Sequence, residues 1–289
     1  MPSNIFGTTR ILGIFGDPVA HSLSPLMQNQ ALRQAGIDAV YVPFHVRPAD
    51  LAGAVAALRH LNILGVNVTV PHKEAVLPLL DEVDENARLI GAVNTIVNRA
   101  GHLHGYNTDG EGFLHSLRDD LGFEPAARRV LLLGAGGACR AALVVLAQAG
   151  VAEIRIANRN VERAQTLIDS FAATFPGTTF AALPLAQCPE FQAAAADIDL
   201  LVNTTSLGLA GEEILLPWEG FPPRCAVYDM VYRRGGTVFC RRAAARGHLT
   251  ADGLGMLAAQ GERAFELWTG QPPPFGVMKS RLLTELADK

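Results

Sequence analysis

The sequence predicts an α/β protein of two α/β domains around a cleft, the second of them a doubly wound parallel sheet. Three observations carry this. Short apolar runs alternate with longer amphipathic ones along almost the whole chain, the pattern of a βαβ series. The 289 residues suffice for two domains of ordinary size, each with its own core. One strand-length apolar run, Val130–Leu133, passes directly into Gly134-x-Gly136 and then into a helical run.

Taken in order, Ile11–Phe15 reads as the first strand. Ser24-Pro25 opens a helix to about Ala35, with Gly36 as its stop. Tyr41–Val46 is a second strand, and Ala49–Leu61 a helix started near Asp50. Gly65–Val70 is a third strand, closed by Pro71. Glu74–Leu80 and Glu85–Ile90 read as helical. Ala92–Val97 and Leu103–Tyr106 form a hairpin across Asn98-Arg99-Ala100-Gly101, where Asn and Gly accept the turn conformations. The second block begins with a helix at about Gly110–Leu121. Strand Val130–Leu133, helix Ala138–Ala149, strand Glu153–Ala157, helix Val161–Phe175 and strands Thr179–Leu183, Asp199–Val202 and Ala226–Asp229 follow, then a helix near Thr237–Arg246. Short strands separated by helices imply parallel pairing with right-handed crossovers. Leu254–Trp268 and Phe275–Ala287 close the chain as helices, split by Gly270 and Pro272-Pro273-Pro274.

Composition narrows the function classes. Hydrophobic residues make up 49% and charged residues 18%, which excludes a disordered or highly charged scaffold. The net charge of −4 supplies no basic field for a nucleic-acid backbone, so no nucleic-acid partner is expected. Mean hydropathy is +0.20, but the richest stretch, Val130–Gly150, is interrupted by Arg140, Gln148 and three leading glycines, so no membrane partner is expected either. The N-terminal stretch MPSNIFGTTRILGIFG has no leader pattern. Cys139, Cys188, Cys225 and Cys240 are widely spaced and read as free thiols of a cytoplasmic protein. His102 and His104 share one strand face, but two side chains make a poor metal site, and no metal is expected.

The glycine run is the strongest local signal. Gly134 permits a tight turn, and Gly136 lets the backbone approach a pyrophosphate at the helix N-terminus. A lone Gly-x-Gly also marks strand–helix turns that bind nothing, so the flanking strand and helix matter. At the end of the next strand an NAD site would carry an acidic residue for the ribose hydroxyls. Here Asn158-Arg159-Asn160 stands there, with Arg163 one helical turn on. A guanidinium fork suits the 2′-phosphate of NADP. The first block supplies polar groups at strand ends. Ser22 and Ser24 stand where a strand gives way to a helix and could hold a carboxylate, or simply cap the helix. Asn67 and Thr69 alternate with valines and share one strand face. Asn94 and Asp109 add an amide and a carboxylate, a ring of partners that a small polyol acid would need. Reducing a ketone also needs a proton donor, for which Lys73, with Asp109 to orient it, is the candidate.

In this order the segments HSLSP, NVTVPHK, GAVNT, NTDG, GAGGA, NRN, YDMVY and ADGLGMLAAQ resemble the shikimate dehydrogenase family, from about Ile11 to Leu286. The resemblance implies a discontinuous substrate-binding domain, residues 1–108 with 253–289, and a Rossmann-like NADP-binding domain, residues 109–252. It implies reversible NADPH-dependent reduction of 3-dehydroshikimate to shikimate in aromatic amino-acid biosynthesis, by a monomer or homodimer. Lys73 and Asp109 are similar to the family's catalytic pair. Ser22, Ser24 and Tyr232 would meet the substrate carboxylate, and Asn67, Thr69, Asn94, Asp109 and Gln260 its ring hydroxyls. NADP would meet Gly134, Ala135, Gly136, Gly137 and Ala138, then Asn158, Arg159, Arg163, Met230 and Gly253. Glu85 falls where some members are assigned a cofactor contact.

Two departures stand out: Cys139 in the glycine loop, where a small Ser or Ala is usual, and His72 beside the lysine, where an aromatic is common. The segment HSLSPLMQNQAL also looks like the quinate/shikimate branch, which often has an acidic residue after the second nucleotide-domain strand and prefers NAD. Asn158-Arg159 argues against that branch. A quinate/shikimate dehydrogenase of broader range and a nonenzymatic dinucleotide sensor on the same fold are the alternatives. A sensor would have no need of Lys73 and Asp109 together.

Overall fold

A computed structural model describes residues 5–186, 188–209 and 211–287. Residues 1–4, part of the stretch inspected for a leader, lie outside them. The chain divides into two compact units, Met1–Gly112 with Ala258–Lys289, and Phe113–Leu257.

The first unit is built on β1 (Arg10–Gly16), α1 (Ser24–Gln34), β2 (Ala39–His45), α2 (Leu51–His60), β3 (Gly65–Val68), β4 (Glu82–Val83), α3 (Glu85–Ile90), β5 (Thr95–Arg99) and β6 (His102–Tyr106). Helix α4 (Thr108–Leu121) starts in this unit. Its six strands run in the order β2-β1-β3-β5-β6-β4. β2 and β3 flank β1 in parallel, whereas β5 is antiparallel to both β3 and β6. The chain thus leaves β1 to one side and returns on the other, and such a switch point favours ligand sites at the carboxyl ends of the strands. Phe15, Val55, Leu58, Val66, Ile96 and Leu103 form its main core. At edge strand β2, Asn29 Oδ1 accepts from the Tyr41 N–H at 2.9 Å and its Nδ2 donates to the Tyr41 carbonyl at 2.7 Å. Gly65 admits no other residue: a Cβ there would lie 2.3 Å from the Ile96 carbonyl oxygen and 2.4 Å from Trp268 Nε1.

The second unit holds β7 (Arg129–Leu133), α5 (Gly137–Gln148), β8 (Glu153–Asn158), α6 (Val161–Asp169), β9 (Thr179–Pro184), α7 (Pro189–Ala195), β10 (Leu200–Asn203), β11 (Ala226–Asp229), α8 (Val238–Ala244) and β12 (Thr250–Asp252). Helix α9 (Gly253–Thr269) starts in this unit and ends in the first, and α10 (Val277–Ala287) belongs to the first. All five pairings in its sheet are parallel, in the order β12-β11-β10-β7-β8-β9. Numbered within the unit, that is the doubly wound dinucleotide-fold order, whose switch point lies between β7 and β10. Strands β7 and β10 are near-continuous apolar runs because helices cover both faces of such a sheet.

Several sequence expectations need correction. Glu74–Leu80 forms no α-helix. It winds through turns into a 3-10 turn at Leu77–Leu79, because Pro78 has no N–H to continue an α-helical ladder. The third strand ends at Val68, not Val70. The helix expected to reach Phe175 stops at Asp169, where the Ser170 hydroxyl donates back to the Thr166 carbonyl. The sequence reading missed β4, α7 and β12, which are two, seven and three residues long.

Candidate active site

In the first unit the polar side chains gather at the carboxyl ends of β1 and β3. Helix α1 begins at Ser24, and no side chain caps it; the Ser24 N–H donates to Ser22 Oγ at 3.2 Å. The Ser24 hydroxyl is therefore not consumed as a cap, although it is almost fully buried. Asn67, the last residue but one of β3, is buried, and Thr69, just beyond the strand, is half-buried. Lys73 follows on a turn whose backbone is tied down, its carbonyl accepting from the Val93 N–H at 2.8 Å. Lys73 Nζ donates to Asp109 Oδ2 at 2.6 Å, with side-chain exposures of 32% and 19%.

Asp109 owes its place to the start of α4. Asn107 Oδ1 accepts from the backbone N–H groups of Asp109 and Gly110 at 3.1 and 3.4 Å, and Asn107 Nδ2 donates to the Ala92 carbonyl. A carboxylate in a first helical turn is favoured by the helix dipole. Asn94 Nδ2 donates to Asp109 Oδ1 at 2.9 Å and to Thr108 Oγ1 at 3.0 Å, while its Oδ1 accepts from the Thr108 N–H at 2.8 Å. The carboxylate is thus gripped on one oxygen by an ammonium and on the other by an amide. Ser22, Ser24, Asn67, Thr69, Lys73, Asn94, Asp109 and the buried Gln260 of α9 all lie in this unit. His72 is 1% exposed, its Nε2 is 2.6 Å from the Val46 carbonyl oxygen, and its role is packing. Glu85 is exposed in the first turn of α3.

In the second unit β7 runs into Gly134, whose φ of +101° suits glycine; a Cβ there would lie 2.7 Å from Thr205 Cγ2. Around Gly136 and Gly137 the space is open for 4 Å, and α5 starts at Gly137 with no side-chain cap. Ala135 is half-buried and Ala138 exposed. The first-turn N–H groups of α5 have no intrahelical acceptor, so the loop fits a phosphate group. Cys139 is wholly buried, and burial pushes its thiol up to about 12. It packs as a small apolar residue, and the glycine-loop departure leaves the loop intact.

The basic residues after β8 divide sharply. Arg155 is consumed by Glu153 and Asp197. Arg159 and the Arg163 guanidinium are exposed and make no hydrogen bond or ion pair among the described residues. Asn158 Nδ2 donates to the Asn160 carbonyl at 2.8 Å, and Asn160 Oδ1 caps α6 through the Arg163 N–H at 2.8 Å. Two free guanidinium groups flanking a capped helix start fit the 2′-phosphate and adenine of NADP. Further along, Met230 follows β11, and Gly253 opens α9 against it: a Cβ on Gly253 would lie 2.2 Å from the Met230 carbonyl oxygen. Tyr232 is half-buried, and burial raises its phenol above the ordinary range.

Comparison with known proteins agrees with both units. Residues 14–96 match the family model for the shikimate dehydrogenase substrate binding domain, 119–208 that for shikimate / quinate 5-dehydrogenase, and 253–283 that for the shikimate 5′-dehydrogenase C-terminal domain. Shikimate dehydrogenase (NADP(+)) of Geobacter metallireducens is 54% identical over 285 residues, covering 98% of this chain and 99% of the relative. The chain belongs to the shikimate dehydrogenase family. Among solved structures, shikimate 5-dehydrogenase from Listeria monocytogenes in complex with shikimate and NAD aligns with a TM-score of 0.91 at 32% identity, over 97% of this chain and 98% of that one. The Thermus thermophilus enzyme in complex with NADP(H) and shikimate aligns with a TM-score of 0.85 at 39% identity, over 96% and 99%. The three family regions include Lys73, Asn94, the glycine loop, Arg159 and Gln260, whereas Asp109, Met230 and Tyr232 lie outside them.

Sequence reasoning missed a buried network behind the glycine loop. Asp229 is buried; its Oδ1 accepts from Asn203 Nδ2 at 2.8 Å and from the Val231 N–H at 3.1 Å, and burial raises its carboxyl. Asn203 Oδ1 in turn accepts from the Thr205 N–H and hydroxyl, and Thr205 is the residue against Gly134. An acidic residue closing an apolar strand was the available signal. Among the described residues no helix is long and apolar enough to cross a membrane.

Proposed function

We propose that this protein catalyses the reversible reduction of 3-dehydroshikimate to shikimate with NADPH. The observation that carries the reading is the 2.6 Å contact between Lys73 Nζ and Asp109 Oδ2 inside a cluster of polar groups suited to a polyhydroxy acid. The glycine loop and the free Arg159 and Arg163 would hold NADP(H), which supplies the hydride when bound. Ser22 and Ser24, with Tyr232, would take the substrate carboxylate; Asn67, Thr69, Asn94 and Gln260 would take ring hydroxyls.

The chemistry for the chain's own residues is then proton transfer. As a ketone is reduced, its oxygen gains negative charge, and a proton must reach it. Lys73 Nζ is the donor in this direction and, once neutral, the base in the reverse direction. Asp109 holds Nζ in place, and Asn94 holds Asp109. Gly134, Gly136, Gly137, Ala135 and Ala138 would face the pyrophosphate, Asn158 the adenosine side, and Met230 and Gly253 the nicotinamide side. The test is steady-state oxidation of shikimate and of quinate with NADP and with NAD, read by absorbance of the reduced nicotinamide. Turnover of shikimate with NADP as the best pair supports the reading. Preference for quinate or NAD would move the protein to the broader branch, and absence of turnover with every pair would leave a binding protein.

A further inference from the structure

One buried tyrosine stands behind the candidate substrate site. Tyr41 in β2 is 1% exposed. Its hydroxyl reaches across β1 and donates to Asn67 Oδ1 at 2.7 Å. The direction of the bond to Asn67 is fixed by chemistry. Asn67 Nδ2 lies 3.1 Å from the Asn94 carbonyl oxygen, which can only accept, so the amide oxygen must be the atom turned to Tyr41. Tyr41 therefore donates, and burial keeps it protonated by driving its phenol well above the ordinary range.

The same polarity continues inward. Asn67 Nδ2 donates to Thr95 Oγ1 at 3.0 Å, Thr95 Oγ1 to Asn94 Oδ1 at 3.0 Å, and Asn94 Nδ2 to Asp109 Oδ1 at 2.9 Å. Each donor points toward the Asp109 carboxylate, so the bonds polarise one another in one sense. The Tyr41 ring is set by Trp268 of α9, whose centroid is 6.0 Å away and whose Nε1 donates to the Ile96 carbonyl at 2.9 Å.

We propose that Tyr41 is a positioning residue for the substrate. Its hydroxyl fixes the Asn67 amide, one of the groups that would meet the ring hydroxyls of a cyclic polyhydroxy acid. The inference rests on the reading of shikimate as substrate. Removing the hydroxyl frees the Asn67 amide oxygen and loosens that substrate contact. Lys73 stays with Asp109, which Tyr41 reaches only through four successive hydrogen bonds, so binding suffers and proton transfer does not.

Tyr41→Phe tests this, because it keeps the ring against Trp268. The shikimate KM should rise about 3- to 10-fold, the effect of one lost hydrogen bond. The kcat and the NADP KM should stay close to wild type. In a cycle with Asn67→Ala, the double variant should raise the KM by clearly less than the product of the single effects. An unchanged shikimate KM, multiplicative effects with Asn67→Ala, or a parallel fall of kcat and both affinities with stability would overturn the role of Tyr41. Wild-type turnover of shikimate separately tests the underlying reading: its absence overturns both, whereas its presence with an unaltered Tyr41→Phe overturns this inference alone.

Discussion

Lys73→Ala removes the only ammonium that reaches Asp109 among the described residues. A positioned general acid is worth about 100- to 10,000-fold in rate, or roughly 3–5.5 kcal/mol of barrier. The Lys73 side chain keeps 32% of its exposure, so water can partly replace it, and the expected loss in kcat lies in the lower half of that range, about 100- to 1,000-fold. The shikimate KM should move only a few-fold, since the other polar groups remain. Asp109→Asn attacks the same pair from the other side. Asn94 Nδ2 donates at 2.9 Å to Oδ1, so an asparagine there turns its oxygen to Asn94 and its NH2 toward Lys73. Two donors then face each other across what was a 2.6 Å contact, and the ammonium is expelled. That variant should therefore lose turnover to a similar extent and also bind shikimate more weakly. If each single change costs roughly 3–4 kcal/mol of barrier, simple addition would give about 6–8, whereas a pair acting as a unit leaves the double variant near the cost of one. Steady-state kinetics on the four proteins, with thermal melts to confirm folding, decide the matter. Near-normal turnover in Lys73→Ala, or losses that add, would refute proton delivery by this pair.

Arg159→Ala should weaken NADP by about 1.5–3 kcal/mol relative to NAD, the loss of one charge-assisted contact, and equal losses with both cofactors would contradict a 2′-phosphate role. Gly253→Ala places a methyl 2.2 Å from the Met230 carbonyl oxygen and 2.8 Å from its carbon, backbone atoms that cannot swing away. It should cost about 1–3 kcal/mol in urea unfolding and raise the NADP KM, and wild-type behaviour in both assays would show that the contact relaxes freely. For Asp229, burial raises the folded pKa above the unfolded value near ~3.9, so the folded state holds the proton more tightly. Stability from this group is full below the unfolded value and declines as pH rises through the folded one. Thermal melts from acid to neutral pH should show that decline in wild type and a flatter profile in Asp229→Asn; parallel profiles would exclude the carboxyl as its source.

The longer strands of both units were legible because apolar runs bounded by Gly, Pro and Asn have few other readings. Pro78 was the visible warning against a helix at Glu74–Leu80, outweighed by the apolar spacing of its neighbours. β12 contains only Thr-Ala-Asp, and its strand character comes from pairing with β11. In the candidate site, Lys73, Asn67, Asn94 and Asp109 stood out as polar residues where strands end. Tyr41 did not, since an aromatic inside a strand is ordinary and its partner Asn67 is 26 residues away on the far side of β1. Only the strand order brings the two together. Arg155 and Arg159 are alike in sequence, and only the packing of Asp197 and Glu153 against the first separates a structural guanidinium from a free one.

The amide of Asn29 bears on association rather than catalysis. An unprotected border strand offers its N–H and C=O groups as a template on which another chain can crystallise as an extra strand. Asn29 already occupies both groups of Tyr41, and two residues on, the same side of β2 carries Pro43, which has no N–H to give. The opposite border of the sheet, β4, is only two residues long. Neither margin of this sheet can recruit a long foreign strand, so its runaway extension onto a second copy of the chain is blocked at both ends.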